Sequence, residues 1–357
     1  MIYAVVMGGG KGTRFWPEST NKKPKQFLPM CGEKSMIRQT VDRLKSIINA
    51  NRILIIGNKR HYNLTRKELK DIPRKNIISE PIGRNTAPCL GLASLIVKRR
   101  DPKGVIVAMP ADHIIKKHRY FSKLLKAAAR YAHKNDNFIT FGITPQLPHT
   151  GYGYIEICNE YRRDNGIKFF TVKRFIEKPS LDKAKRYLSS GKFYWNSGMF
   201  VFNVNTLLRA IKKHMPKLYK GLCRIESFLG TTKENLTIAK VFNSIDAISI
   251  DYGIMERVSN CLLVKAEIGW NDIGSWNALD GILKKDKNGN IMRGKCISIK
   301  SGRNIIHSMD KLIAVLGIYD SIIVQTNRAL LVAHKDHAQD IKKIVEFLER
   351  KKENKYL

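Results

Sequence analysis

The chain has 357 residues, with 65 Lys and Arg against 30 Asp and Glu, a formal net charge of +35. A hydrophobic content of 43% with interspersed charge describes a globular chain with a sizeable core, and excludes a disordered or fibrous one. No apolar run approaches a membrane span, no charged-then-apolar leader opens the chain, and no membrane partner is expected.

Cys31, Cys89, Cys158, Cys223, Cys261 and Cys296 lack C-x-x-C spacing, which reads as reduced thiols in a cytoplasmic protein rather than a disulfide frame or zinc site. The basic excess is spread along the chain. Runs such as Lys116-Lys117-His118-Arg119 and Lys342-Lys343 sit beside helical patterns and read as solvated faces. With no stacking-aromatic or zinc-finger signature, this charge supplies only a salt-sensitive, sequence-independent attraction, and no specific nucleic-acid partner is expected.

In chain order, Ile2–Met7 predicts a short apolar strand that runs into a loop containing Gly8, Gly9, Gly10, Lys11, Gly12, Thr13 and Arg14. The glycines allow φ > 0 and close approach to a ligand, and successive amides form an anion-binding concavity. Lys11, Arg14 and Lys25 put three cations around that loop, enough for a triphosphate. It is not a Walker A loop, because Lys11 is followed by Gly12, nor a dinucleotide fingerprint, because Thr13 stands where the last glycine belongs.

Short β-branched runs then alternate with amphipathic patterns. Strands are predicted at Arg52–Ile56, Asn76–Ser79, Gly104–Met109 and Phe138–Gly142, and helices near Ser35–Ile48, His61–Lys70, Thr86–Arg99 and Tyr120–His133. This is the order of an α/β fold with parallel strands covered by helices. Longer β segments follow at Tyr152–Cys158, Lys168–Ile176 and Ser197–Asn203, with helices after Leu181 and Asn205, extending the sheet and walling a second half of a cleft. Asp286-Lys287-Asn288-Gly289-Asn290 is a turn or linker. Short Ile/Val-rich strands from Ile297 to Val332 and a charged helix over Asp336–Lys352 then predict a small C-terminal β domain. The domains expected are 1–285 and 286–357.

The stretch Gly8–Gln26 resembles the signature of sugar-1-phosphate nucleotidyltransferases, G-G-x-G-[ST]-R, an aromatic-Pro pair, then P-K. Phe15-Trp16-Pro17 and Pro24-Lys25-Gln26-Phe27 look most like its mannose-1-phosphate guanylyltransferase branch, and Gly8 departs from the usual alanine. The resemblance implies a Rossmann-like, GT-A-type mixed sheet with helices on both faces. It also implies a small C-terminal β unit related to a left-handed β-helix, with homodimer contacts through that unit. No strict hexapeptide repeat is present, and the chain ends before the cupin isomerase domain of bifunctional members, which implies a monofunctional enzyme. The implied reaction joins GTP and mannose 1-phosphate with Mg²⁺ as cofactor. A sister enzyme with another base or sugar, or a non-catalytic regulatory relative, are the alternatives.

The remaining motifs take roles under that resemblance. Asp112, after Val107-Ala108-Met109-Pro110-Ala111, lies at the carboxyl end of a strand and is the first expected Mg²⁺ ligand, with Pro110 beside the nucleotide; the alternative is a helix N-cap. Asp272, in Trp270-Asn271-Asp272-Ile273-Gly274-Ser275-Trp276 before a helix, matches W-x-D-x-G-x-W and is the second ligand. Asn76–Pro88 lies beside the base, where Glu80 could accept from N1–H and N2–H of guanine and Asn85 and Thr86 neighbour base or ribose. Otherwise Asn85 or Thr86 caps the next helix and Glu80 is a surface acid. The sugar phosphate falls to Gly151, Tyr152 and Gly153, to Glu177 and Lys178, to Asn196, and to Asp251, which could equally cap a helix. Lys178 is the point charge expected on the attacking phosphate, with Arg14 and Lys25 as the other catalytic cations. His113 is not needed as a base, because a sugar-phosphate dianion is already a nucleophile.

Overall fold

The computed structural model describes residues 1–10 and 12–357; the expectation for Lys11 lies outside the described residues. The chain forms two compact units, neither continuous in sequence: one of 1–9, 40–111 and 115–270, the other of 10–39, 112–114 and 271–357.

The strands in chain order begin with β1 (Ile2–Gly8), β2 (Ile53–Asn58), β3 (Ile77–Glu80), β4 (Val105–Pro110) and β5 (Ile114–Ile115). They continue with β6 (Phe138–Ile143), β7 (Tyr154–Asp164), β8 (Ile167–Ile176), β9 (Phe193–Asn203), β10 (Cys261–Lys265) and β11 (Trp270–Asn271). The first unit is built on a mixed sheet of order β3-β2-β1-β4-β9-β6-β10-β8-β7. The first four strands are parallel. β9 then enters antiparallel to both β4 and β6. β1 is central and buried on both faces, which is why it reads as a continuous apolar run rather than an alternation. The helix Thr86–Arg100 is buried along most of its length, and Gly91 lets it approach the helix Pro216–Glu226. A Cβ at Gly91 would lie 2.8 Å from Leu222 Cδ1.

In the second unit, β12 (Ile291–Arg293), β14 (Ile305–Ser308) and β16 (Ser321–Gln325) stack in parallel, and β17 (Leu330–His334) closes that sheet antiparallel. β13 (Cys296–Ile299) and β15 (Ile313–Leu316) form a second parallel pair. Ile291, Ile305 and Ile322 are in register and fully buried, so each coil adds one isoleucine to a common column. The steps between them differ in length, and a fixed repeat is therefore absent from the sequence. The helix Ile341–Arg350 packs on the Thr13–Phe15 turn, and Trp16 Nε1 donates to the Tyr356 carbonyl at 2.8 Å. The segment following the glycine loop thus belongs to the same core as the coils, with Phe15 and Trp276 rings 5.2 Å apart.

The coils are tied at one corner by buried asparagines. Asn290 Oδ1 accepts from Asn304 N at 3.0 Å, Asn304 Oδ1 accepts from Ser321 N at 2.9 Å, and Asn304 Nδ2 donates to the Ile318 carbonyl at 2.8 Å. Asp286 receives the Asn290 amide at 2.8 Å, closing the expected turn. Asn304 is fully buried, so truncating it strands several donors and acceptors. Asn304→Ala is expected to lower unfolding stability by about 2 kcal/mol in urea titration, whereas a change of a few tenths would mean the corner is not holding the coils.

Candidate functional site

The second unit collects Arg14, Lys25, Asp112 and Asp272. Gly12 takes φ 64°, and a Cβ there would run into Lys25, so both the turn and the approach of that side chain require glycine. Lys25 opens a short 3-10 turn after Pro24 and is buried. Its Nζ donates to Asp112 Oδ2 at 2.8 Å and to the Asp272 carbonyl at 2.5 Å. Arg14 Nη1 donates to the Gly274 carbonyl at 3.3 Å. Burial alone would push the Asp112 carboxyl up, but Lys25 and His113 hold it below the ordinary carboxylate range. Asp112 caps no helix; it precedes the β5 segment Ile114–Ile115, so the capping alternative falls away. Asp272 precedes a 3-10 turn, Trp276–Gly281, in place of the expected helix.

The Asp112 carboxylate and the Asp272 backbone carbonyl share the Lys25 ammonium, and the two side-chain carboxylates are hard oxygen donors. Magnesium takes one or two carboxylates and completes its shell with phosphate and water, so Asp112 and Asp272 fit such an ion.

The first unit presents the other candidates. Gly8 ends β1 and Gly9 follows with open space where a Cβ would stand. Pro110 ends β4, in register with Met7. Glu80 ends β3 and is buried, not a surface acid. Among the described residues its Oε1 has no hydrogen-bond partner, and burial raises the carboxyl to about 7 against the opposing contact of the Cys89 thiol. Asn85, at φ 67° and ψ −171°, caps the helix Thr86–Arg100 by accepting from Thr86 N, so that structural reading is realised. Thr86 Oγ1 accepts from Ile250 N at 2.8 Å, and Ala87 N donates to the Ile248 carbonyl at 3.1 Å. These bonds fasten the 80–87 loop to the turn carrying Asp251.

Asp251 opens a π turn, Asp251–Met255, and accepts from Asn196 Nδ2 at 2.7 Å instead of capping a helix. Asn196 N donates to the Gly153 carbonyl at 2.8 Å. A Cβ at Gly153 would collide with the Glu177 carboxylate, so the glycine makes room for that acid. Burial raises Glu177, and Asp251 nearby raises it further; burial also raises Asp251. Lys178 is exposed and takes φ 46°. Tyr152 stacks on His149 at 4.0 Å and meets Trp195 and Trp270 edge-on at 4.9 and 5.4 Å. Gly151 N donates to His149 Nδ1 at 3.0 Å. The sequence reading missed His149; its place just before the Gly-Tyr-Gly run was the signal available.

The family model for nucleotidyl transferase matches residues 3–289, and that for the MannoseP isomerase/GMP-like beta-helix domain matches 294–348. The chain belongs to the nucleotidyl transferase family. It is 39% identical to mannose-1-phosphate guanylyltransferase RfbM of Salmonella typhimurium, over 99% of this chain and 73% of that protein. Identity is 35% with a Klebsiella pneumoniae mannose-1-phosphate guanylyltransferase, over 100% and 76%. A solved Thermus thermophilus structure, described as a mannose-1-phosphate geranyltransferase, superposes with a TM-score of 0.88 at 27% identity, covering 98% of this chain and 99% of that one. A Helicobacter pylori structure described as a mannose-6-phosphate isomerase gives 0.60 at 30% identity over 76% and 99%. No helix among the described residues is long and apolar enough to cross a membrane.

Because the folded Asp112 carboxyl lies below its unfolded value, its stabilisation is present above about pH 4 and is lost as pH falls through the folded value. Lys25→Met is therefore expected to cost about 2 kcal/mol at pH 7 and distinctly less at about pH 2.5. Equal costs at both pH values in urea unfolding would show that the pair contributes nothing.

Proposed function

We propose that this chain transfers GMP from GTP to α-D-mannose 1-phosphate, giving GDP-mannose and pyrophosphate. The observation that carries the proposal is the cluster in which Lys25 joins Asp112 to the Asp272 turn, with Arg14 on the Gly274 carbonyl. The names of the relatives that match nearly the whole chain support the choice of substrates.

An oxygen of the sugar phosphate attacks the α-phosphorus of GTP in line, the bond to the bridging oxygen breaks, and pyrophosphate leaves with that electron pair. No covalent enzyme intermediate forms. Lys11, Arg14 and Lys25 hold the triphosphate with the amides of Gly8, Gly9, Gly10, Gly12 and Thr13. Lys25 and Arg14, now on carboxylate and carbonyl oxygens, exchange those contacts for phosphate oxygens. Asp112 and Asp272 would hold Mg²⁺, which would neutralise charge at the phosphates. Lys178 aligns the nucleophile, and Glu177, Asn196, Asp251 and Tyr152 orient the mannose with Gly151 and Gly153 close to the ring. Glu80, with its orphaned buried oxygen, accepts from N1–H and N2–H of guanine, while Asn85, Thr86 and Pro110 line the nucleoside.

Pyrophosphate release should be confined to GTP with mannose 1-phosphate when GTP, ATP, UTP and dTTP are crossed with mannose 1-phosphate and glucose 1-phosphate. Asp272→Asn should lower kcat about 100-fold with the fold intact by circular dichroism. Release with another pair would overturn the substrates, and an unchanged kcat would remove Asp272 from the reaction.

Glu80 is raised to about 7, so only above that pH is it the carboxylate that accepts both guanine donors. KM for GTP should fall several-fold between about pH 6 and pH 8, and Glu80→Gln should flatten that change. A pH profile identical in the variant would detach Glu80 from the base.

A further inference from the structure

The turn that carries Asp272 is held in a backbone form that its sequence resists. Ile273 has φ 43°. That is the left-handed region, where glycine is at ease, Asn and Asp are tolerated, and a β-branched residue is a genuine outlier. Among the described residues, Ile273 is the one β-branched residue with positive φ; the other non-glycine cases are Asn, Asp, Lys and Arg.

Every neighbouring group is pinned. The Ile273 side chain is fully buried in the core of the second unit with Phe15, Trp276 and Leu279. Asn271 Oδ1 accepts from Ile273 N at 2.7 Å. The peptide carbonyl before Ile273 receives Lys25, and the carbonyl of Gly274 receives Arg14. Gly274 leaves the Asp272 carboxylate room, since a Cβ there would lie 3.3 Å from Oδ2. Strain of this kind persists only where the surroundings over-determine it, and it gathers at working sites. A glycine or asparagine would satisfy the dihedral at little steric cost, but neither supplies an apolar anchor. Isoleucine accepts the strain and gives a fixed origin for the turn.

We propose that Ile273 is a positioning residue: anchored in the core, it holds the Asn271–Gly274 turn in its left-handed form and so aims the Asp272 carboxylate at a divalent cation. This rests on the reading of Asp272 as a cation ligand. In the ligand-free protein Lys25 and Arg14 also hold the peptide planes on either side, and the Ile273 anchor is the part of this arrangement that does not turn to phosphate. Groups that orient a metal ligand, without touching the metal, typically change its affinity about 10- to 100-fold when removed.

The test titrates Mn²⁺, which takes the same oxygen donors as Mg²⁺, into the ligand-free protein and follows loss of the free-ion EPR signal. Ile273→Gly relieves the dihedral and deletes the anchor. Ile273→Ala deletes most of the anchor, keeps a Cβ, and serves if the glycine variant does not fold. Ile322→Ala, at a fully buried position in the same core, controls for lost packing alone. The expected result is a rise in Mn²⁺ dissociation constant of about tenfold for the Ile273 variants and less than about twofold for Ile322→Ala. In turnover, kcat should fall by a similar factor while KM for mannose 1-phosphate stays within about twofold. Folded Ile273 variants that bind Mn²⁺ like the parent protein, or an Ile322→Ala loss of equal size, would overturn the proposal. Asp272→Asn separates the two levels. If it too binds Mn²⁺ normally, the ligand reading has failed; if it alone loses binding, only the positioning role has failed.

Discussion

The ammonium of Lys25 lies 2.8 Å from the Asp112 carboxylate and 2.5 Å from the Asp272 carbonyl, and the second unit depends on that convergence. The unit is assembled from three stretches far apart in sequence, 10–39, 112–114 and 271–357, and one residue from each meets at this point. A buried ammonium must be matched by charge and by hydrogen-bond acceptors, or its desolvation goes uncompensated. Here an ion pair supplies the first and a peptide carbonyl the second. The requirement also works backwards. Gly12 has no side chain because Lys25 passes where one would stand, and Asp112 stays ionised because the ammonium faces it.

The candidate carboxylates whose values shift do so in opposite directions in the two units. Asp112 is held low by cations, as suits a group that stays ionised. Glu80, Glu177 and Asp251 are all raised by burial, and the Asp251 charge raises Glu177 further. Raised carboxyls are costly to keep buried in ionised form and favour partners that donate hydrogen bonds to them, such as a base edge or sugar hydroxyls. Asn196 already meets part of that demand at Asp251.

Much of this was legible from local pattern. The strands β1 to β4 and the helix Thr86–Arg100 lie within two residues of their expected bounds, because apolar runs bounded by Gly, Pro and Asn are strong local signals. β10 was not anticipated. Cys261–Lys265 is a short apolar run buried in the sheet, and periodicity does not separate such a run from part of a helix. The helices Pro216–Glu226 and Glu234–Ser244 were also unassigned, lying between motifs that drew the reading elsewhere. Helix capping was the local alternative for both Asp251 and Asp112. Their side chains instead go to partners 55 and 87 residues away.

The sequence by itself determined the residue types of the glycine loop, the placing of acids and cations near strand ends, the alternation that makes an α/β sheet, and the β-rich tail. These follow from local steric and hydrophobic patterns, which act over a few residues. Only the tertiary structure decided that the segment after the glycine loop shares a core with the C-terminal coils, that Glu80 is buried with an orphaned oxygen, and that Ile273 is forced left-handed beside Asp272. Each of those depends on which distant side chains exclude water from a given atom. Burial, and the charge and strain it imposes, is a property of the packed whole that no window of sequence contains.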